Sequence, residues 1–276
     1  MKSDQLLTKT AINVDDILVK RNRDKVSHSI FLMVIMALVL WSVNVTIIED
    51  TDWERMGSLG EVLASAGRFI GVDFSLIPNL LEPAIETFMI SCLGTLLGVI
   101  ICIPATWFGA LNITPFKPIT YPIGRFMMTI SRSIHEIVWA LFFVAVLGLG
   151  ALPGIFAIGV RSVGFIAKMS AEAIEDIKLG PIEAIRATGA NRFQVLLYAI
   201  LPQVIPQVIG VILFEWEINI RRSAILGLVG AGGLGLVFFR QMNTYNYHGV
   251  TTVILAILVI IIFGEIVSHF SRKRMI

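Results

Sequence analysis

The chain has 276 residues, of which 56% are hydrophobic and 15% are charged, against roughly 45–50% and about 25% in soluble domains. Together with a mean hydropathy of +0.82, this composition excludes a water-soluble globular enzyme. The net charge of +2 is too small to indicate a nucleic-acid partner. Cys92 and Cys102 lie in one apolar run without a spacing typical of metal ligands, so we interpret them as small core residues.

Six membrane-spanning helices are predicted, because a helix needs about 20 apolar residues to cross about 30 Å of hydrocarbon. Five runs are uncharged. A sixth helix, residues 152–174, contains charges but follows a break with Gly148, Gly150 and Pro153, which divides a long apolar stretch in two. The sequence therefore predicts an all-α polytopic membrane protein. The uncharged runs are residues 27–48, 87–116, 137–160, 193–214 and 241–263.

The distribution of lysine and arginine predicts the orientation of the chain in the membrane. Both ends are basic, and basic segments stay in the cytoplasm, so both termini are expected inside. Residues 49–83 then form an acidic external loop. Residues 1–26 are predicted to be a cytoplasmic arm and not a cleavable signal. This arm fits a helix along the membrane surface and a solvated tail equally well.

A glycine-rich segment, residues 223–239, is uncharged but is not predicted to cross the membrane. A crossing there would place the basic C-terminus outside, so a bent external or re-entrant segment fits better. Non-helical backbone is tolerated at membrane depth only beside protein or a water-filled cavity, so this segment indicates a gate or pathway. Its match to G-x-G-x-x-G is spurious, since no βαβ unit surrounds it. The matching residues 230–235 contain the four candidate gate residues, Gly230, Gly232, Gly233 and Gly235.

The strongest local signal lies in residues 178–202, between the fourth and fifth predicted spans. A short helix is expected to begin at Pro181, with Glu183 in its first turn, and to end at Gly189 in a left-handed conformation. Asn191 and Gln194 predict a capping box for a second helix. Two short rigid helices on the cytoplasmic side would form a protrusion. No motif for nucleotide hydrolysis occurs in the chain, so any process driven by nucleotide hydrolysis would need another chain as its energy source.

The pattern in residues 178–202 resembles the EAA loop of the permeases of ABC importers. Glu183, Ala184, Gly189 and the pair Leu201–Pro202 match this loop. Ile185 and Ala199 depart mildly from it. The wider strings PIEAIRATGAN, RSIHE and VGAGGLG resemble the phosphonate importer permease, and the resemblance covers roughly residue 83 to the C-terminus.

The resemblance implies a type I importer in a bacterial inner membrane. Such a transporter has two permease subunits, expected here as two copies of this chain. It also has two cytoplasmic ATPases that bind ATP–Mg and an external substrate-binding protein. The permease would bind no cofactor or metal and catalyse no reaction. Its EAA loop would couple it to the ATPases, through Glu183, Ala184, Arg186, Gly189, Ala190 and Pro202.

Charged residues inside the predicted spans have two possible interpretations. A charge in a membrane span costs roughly 2.5–3.5 kcal/mol on insertion scales, so it normally pairs or faces the interior. The first interpretation is three neutral pairs, Arg132–Glu136, Lys168–Glu172 and Glu217–Arg221, that specify helix packing. The second is a pathway whose bases attract an oxyanion. The candidate pathway residues are Arg132, His135, Glu136, Lys168, Glu217 and Arg221.

The sequence thus predicts a permease that moves a phosphonate, phosphite or phosphate by alternating access. An ion-coupled carrier, an ABC permease for another small solute such as an amino acid, and a membrane enzyme remain alternatives. The carrier predicts inverted repeats, which we do not find, and the enzyme needs a nucleophile or metal cluster. Gly94 and Gly98 form a G-x-x-x-G motif, which predicts close helix contact within one subunit or between two copies.

Overall fold

The computed structural model describes residues 14–51 and 57–275. Within these residues every regular element is a helix, which confirms the all-α prediction. The chain forms two compact units, one up to Ser65 and one from Ala66 onward.

The first unit is built on one long helix, α1 (Val14–Val43), which continues as a π-helical segment to Glu49. Helix α1 has no break near residue 27, so residues 14–26 of the predicted arm belong to the same helix as the first span; residues 1–13 lie outside the described residues. Residues 25–49 are long and apolar enough to cross a membrane, and their apolar side chains are exposed. Helix α2 (Leu59–Gly67) follows within the predicted acidic loop.

The second unit contains the remaining helices and the core. Three short irregular segments connect or extend them: the 3-10 helices Phe74–Leu80 and Gly227–Val229, and the π-helix Leu196–Ile200. The α-helices are α3 (Leu81–Gly109), α4 (Lys117–Ser133), α5 (Glu136–Leu147), α6 (Ala151–Glu175), α7 (Leu179–Ala187), α8 (Arg192–Val195), α9 (Leu201–Leu226), α10 (Gly233–Asn243) and α11 (Tyr247–Met275).

Among the described residues, five helical runs could cross a membrane, and a bent pair, α4 and α5, gives a sixth if it counts as one span. The apolar run 137–160 is not one helix: it is divided at the predicted break, where α5 ends at Leu147 and α6 begins at Ala151. Gly148 and Gly150 have φ values of 86° and 137°, which explains the break there. Helix α4 was not predicted as part of a span, because it carries three basic residues. The fifth predicted span continues to Leu226, and the sixth begins only at Tyr247.

The G-x-x-x-G motif brings α3 into close contact with α6. A Cβ atom on Gly94 would lie 2.7 Å from Ile158 Cγ2, and one on Gly98 would lie 2.7 Å from Ser162 Cβ. Neither glycine therefore has room for a side chain. The motif is used within one subunit.

A sharp break separates α4 from α5, and the two helices meet at 87°. Ile134 and His135 have extended backbones, with ψ values of 128° and 144°. The His135 Nδ1 atom accepts a hydrogen bond from the Ile137 N–H at 3.3 Å and so caps α5. Proline and glycine, the usual sequence signals of a break, are absent at this point.

The segments on either side of α9 lie at opposite ends of the second unit. Helix α9 has 26 residues, which at a rise of about 1.5 Å per residue corresponds to roughly 39 Å. The EAA-like loop (residues 178–202) precedes it and packs on one buried cluster with Val163, Ile166 and Ile174. The glycine-rich segment follows it and packs on another, with Ile90 and Ile158.

Candidate functional site

The EAA-like loop has the predicted turn and capping box. Gly189 has a φ of 83°, and its N–H donates to the Arg186 carbonyl at 3.0 Å. The Gln194 N–H donates to Asn191 Oδ1 at 2.9 Å, and the Asn191 N–H donates to Gln194 Oε1 at 2.8 Å. One detail differs from the prediction. Helix α7 begins at Leu179, so Pro181 is its third residue and not its first.

This loop has one face in the core and one face exposed. Ile182 is 5% exposed and belongs to the same buried cluster as Val195 and Ile200. The Lys178 N–H at the start of α7 donates to Gln203 Oε1 on α9 at 3.1 Å, so the loop is tied to the bundle. The predicted coupling residues Glu183, Ala184, Arg186, Gly189 and Pro202 are exposed, and Ala190 is half-buried.

The glycine-rich segment is bent and is held by the start of α3. The Gly233 N–H donates to Glu86 Oε2 at 2.9 Å, and the Leu234 N–H donates to Thr87 Oγ1 at 2.8 Å. Gly230, Gly232 and Gly233 have φ values of 92°, 80° and 67°, which favour glycine. A Cβ atom on Gly235 would lie 2.0 Å from the Ala224 carbonyl oxygen. The four predicted glycines thus allow a tight turn between α9 and α10.

A buried polar network joins α3, α6 and α9. Glu215 and Asn219 are fully buried. Asn219 Nδ2 donates to Thr95 Oγ1 and to Ser162 Oγ, each at 2.9 Å. Ser162 Oγ donates to Glu215 Oε1 at 3.1 Å, and Arg222 Nη1 donates to the same oxygen at 2.8 Å. Among the described residues, Glu215 Oε2 has no hydrogen-bond partner.

Glu136 extends this network to α5, and its partners differ from the predicted one, Arg132. Arg222 Nε lies 3.3 Å from Glu136 Oε1, and Arg161 Nε lies 3.7 Å from Glu136 Oε2. The predicted pair Arg132–Glu136 is wrong, because the break at His135 ends α4 and places Glu136 on another helix. The network contains two carboxylates and two guanidinium groups, so its charges balance, as membrane interiors require.

The other two predicted ion pairs are present. Lys168 Nζ lies 3.6 Å from Glu172 Oε1, and Arg221 Nη2 lies 2.5 Å from Glu217 Oε1. Arg272 on α11 lies 2.9 Å from the second Glu217 oxygen. Glu217 and Arg221 follow the end of the predicted run 193–214 but lie inside α9, because the helix continues to Leu226.

A cavity of about 440 Å³, open to the surface, lies between α4 and α6; Thr129, Arg132 and Ser133 in its wall are exposed. Of the six predicted pathway residues, Arg132 and Lys168 line it. His135, Glu136, Glu217 and Arg221 do not. Its lining residues are Arg125, Met128, Thr129, Arg132, Ser133 and Lys168.

Comparison with known proteins identifies the family. Residues 94–276 match the family model described as binding-protein-dependent transport system inner membrane component. The chain belongs to this family. It is therefore a multi-pass inner-membrane subunit of a transport system that depends on a binding protein, and it is not an enzyme.

Named relatives of this permease come from bacteria. The phosphite transport system permease protein PtxC of Stutzerimonas stutzeri is 37% identical over 219 residues, which are 79% of each chain. The phosphate-import permease protein PhnE of Mycolicibacterium smegmatis is 32% identical over 242 residues, which are 88% of this chain and 44% of that protein.

A solved structure has the same fold. A chain of the MetNI methionine ABC transporter, in inward-facing conformations, superimposes with a TM-score of 0.65 over 74% of this permease and 100% of that chain. The identity is 23%, so this likeness concerns the fold alone.

Sequence analysis missed three residues at the centre of the buried polar network. Glu215, Asn219 and Arg222 lie four and three residues apart, which places them along one face of a helix. A polar stripe on an otherwise apolar helix is the signal that could have found them. Arg125 was also missed, because α4 was not predicted as part of a span.

Proposed function

We propose that this permease imports a small phosphorus oxyanion, a phosphonate, phosphite or phosphate, by alternating access driven by ATP. The observation that carries the proposal is the similarity to a phosphite permease along 79% of both chains. A phosphate-import permease is similar along 88% of this chain. Cargo of this class agrees with the basic cavity between α4 and α6, because guanidinium groups bind tetrahedral oxyanions well.

The EAA-like loop is the proposed contact with a cytoplasmic ATPase. Its exposed face carries Glu183, Ala184 and Arg186, with Gly189, Ala190 and Pro202 at its turns. Its opposite face is anchored in the core through Ile182. A rigid helix anchored on one side can transmit a rigid-body movement from a partner, whereas a flexible loop cannot. ATP–Mg would be bound by the ATPase, and this permease would bind no cofactor.

The loop would face the cytoplasm, together with both termini. The glycine-rich segment, at the other end of α9, would then lie on the external side, where the binding protein delivers the substrate. Positive φ values at Gly230, Gly232 and Gly233 interrupt the helix here, and non-helical backbone is tolerated at membrane depth only beside protein or a water-filled cavity. This segment is therefore the candidate external gate.

Two copies of this permease would form the transporter. The 242 residues aligned with the M. smegmatis permease are 44% of that protein, whose length is therefore about 550 residues. A protein of twice this length has room for two such permease units. A pair of identical subunits related by a two-fold axis is the most common arrangement of a homo-oligomer.

Reconstitution tests the proposed function. The permease, its ATPase and its binding protein are placed in proteoliposomes, and uptake of labelled phosphite is measured with and without ATP. We expect ATP-dependent uptake that phosphonate, phosphite or phosphate reduces by competition, while D-methionine does not. Uptake that needs no ATP, or that D-methionine alone reduces, would contradict the proposal.

A further inference from the structure

The cavity between α4 and α6 carries more positive charge than the adjacent carboxylates neutralise. Arg125 is held by Glu175, with Nη2 at 2.8 and 2.9 Å from its two oxygens. Lys168 lies 3.6 Å from Glu172, which is an ion pair without a hydrogen bond. Among the described residues, no carboxylate lies within 4 Å of the Arg132 guanidinium.

The break between α4 and α5 explains why Arg132 is left without an acidic partner. Glu136 would follow Arg132 by one turn if α4 continued, but α4 ends at Ser133. The Glu136 carboxylate instead contacts Arg161 and Arg222. An arginine in a membrane span is expected to face an interior or a partner, because exposure to lipid is costly. The Arg132 side chain is exposed and lies in the wall of the open cavity, beside Lys168.

The hydroxyl groups of the cavity wall are not free to donate to an anion. Thr129 Oγ1 donates to the Arg125 carbonyl at 2.7 Å, and Ser133 Oγ donates to the Thr129 carbonyl at 2.8 Å. Arg125 also lines the cavity, but Glu175 holds its Nη2, and its Nε is buried. Arg132 and Lys168 are the two bases of the lining whose side chains donate no hydrogen bond to a carboxylate, so we assign the anion to them. A guanidinium can bind two oxygens of a tetrahedral ion at once, and an ammonium group adds a point charge.

We propose that Arg132 and Lys168 form a low-affinity binding site for a small tetrahedral oxyanion in the open cavity between α4 and α6. This inference rests on the proposed function and assigns residues to its substrate. The volume of about 440 Å³ lies in the range of small-molecule sites, roughly 300–1,000 Å³. The neighbouring Glu172 and Glu175 partly neutralise the bases, and weak binding lets a transported ion leave again.

Charge-changing variants on the two sides of the site have opposite expected effects. Arg132→Gln removes a charged donor, and we expect the uptake rate at saturating binding protein to fall by about 10- to 100-fold. Arg132→Lys keeps the charge but loses the two-oxygen contact, so an intermediate rate is expected. Glu172→Gln frees Lys168, and the ion should then bind more tightly. Misfolding would not produce tighter binding.

Binding is measured by protection of a cysteine in the permease–ATPase complex without binding protein. In a chain with Cys92→Ser and Cys102→Ser, Thr129→Cys places a thiol in the cavity wall. Millimolar phosphite should slow its reaction with an anionic thiol reagent several-fold, against chloride at equal ionic strength. Adding Arg132→Gln should abolish this protection, and adding Glu172→Gln should shift it to lower phosphite concentrations.

Lys117→Gln is the matched control, since Lys117 is exposed on the same helix and lies outside the cavity. The Lys117→Gln permease should transport at the rate of the unmodified permease. Phosphite should also protect Thr129→Cys equally well with and without Lys117→Gln. If the Arg132→Gln permease shows the same uptake rate and the same protection by phosphite as the unmodified permease, the proposed site is wrong, while the proposed function stands. Failure of the unmodified permease to transport any of the oxyanions would instead overturn the proposed function.

Discussion

Replacing Glu215 with alanine is expected to lower the free energy of unfolding by about 3–5 kcal/mol, because it leaves a buried guanidinium without its counter-charge. Glu215 is fully buried, and its Oε1 atom accepts from Arg222 and Ser162 at 2.8 and 3.1 Å. Without it, one carboxylate, that of Glu136, faces two arginines. Unfolding by denaturant in mild detergent measures the loss.

Two further variants separate charge from packing in this network. Glu172→Ala removes the acid of an exposed pair and should cost no more than about 1 kcal/mol. The double variant Glu215→Leu/Arg222→Met replaces the buried pair with apolar side chains and should recover most of the stability. If Glu215→Ala unfolds at the same denaturant concentration as Glu172→Ala, the network does not stabilise the bundle as its geometry indicates.

Replacing Ile182 with aspartate is expected to reduce ATP-dependent uptake at least about tenfold. The side chain is 5% exposed and anchors α7 to the core. A carboxylate at this position would be buried without a partner, which costs several kcal/mol. Helix α7 would therefore no longer pack against the core. The exposed face of the loop would then no longer have a fixed position relative to the bundle. Uptake is measured per folded permease in reconstituted vesicles.

Ile182→Val is the matched control for this prediction. It shortens the side chain by one carbon and should cost about 0.5–1.5 kcal/mol, with uptake close to that of the unmodified permease. Normal uptake by Ile182→Asp would show that the anchoring of α7 is not needed for coupling.

The features that sequence analysis predicted correctly depend on local chemistry. The capping box of Asn191 and Gln194, the left-handed Gly189 and the break at Gly148 and Gly150 each follow from residues a few positions apart. Long apolar runs likewise identify spans without knowledge of their neighbours. For this reason the fold class and the form of the EAA-like loop could be predicted.

The features that sequence analysis missed depend on contacts between distant residues. Nothing near His135 in the sequence indicates a bend of 87°, because the turn contains neither proline nor glycine. The pairing of Glu136 with Arg161 and Arg222 follows from that bend. The bases Lys117, Arg125 and Arg132 also make α4 too polar to be recognised as a span, although Arg132 lines the cavity and Arg125 is paired with Glu175. The basic cavity could not be predicted without these facts.

Labelling of one cysteine on the EAA-like loop would decide whether an ATPase acts on this permease from the cytoplasm. In a chain with Cys92→Ser and Cys102→Ser, Ala184→Cys places a thiol on the exposed face of α7. A membrane-impermeant thiol reagent should label it in inside-out vesicles and not in intact cells, and the bound ATPase should block the labelling. Labelling from outside, or equal labelling with and without the ATPase, would contradict the proposed coupling.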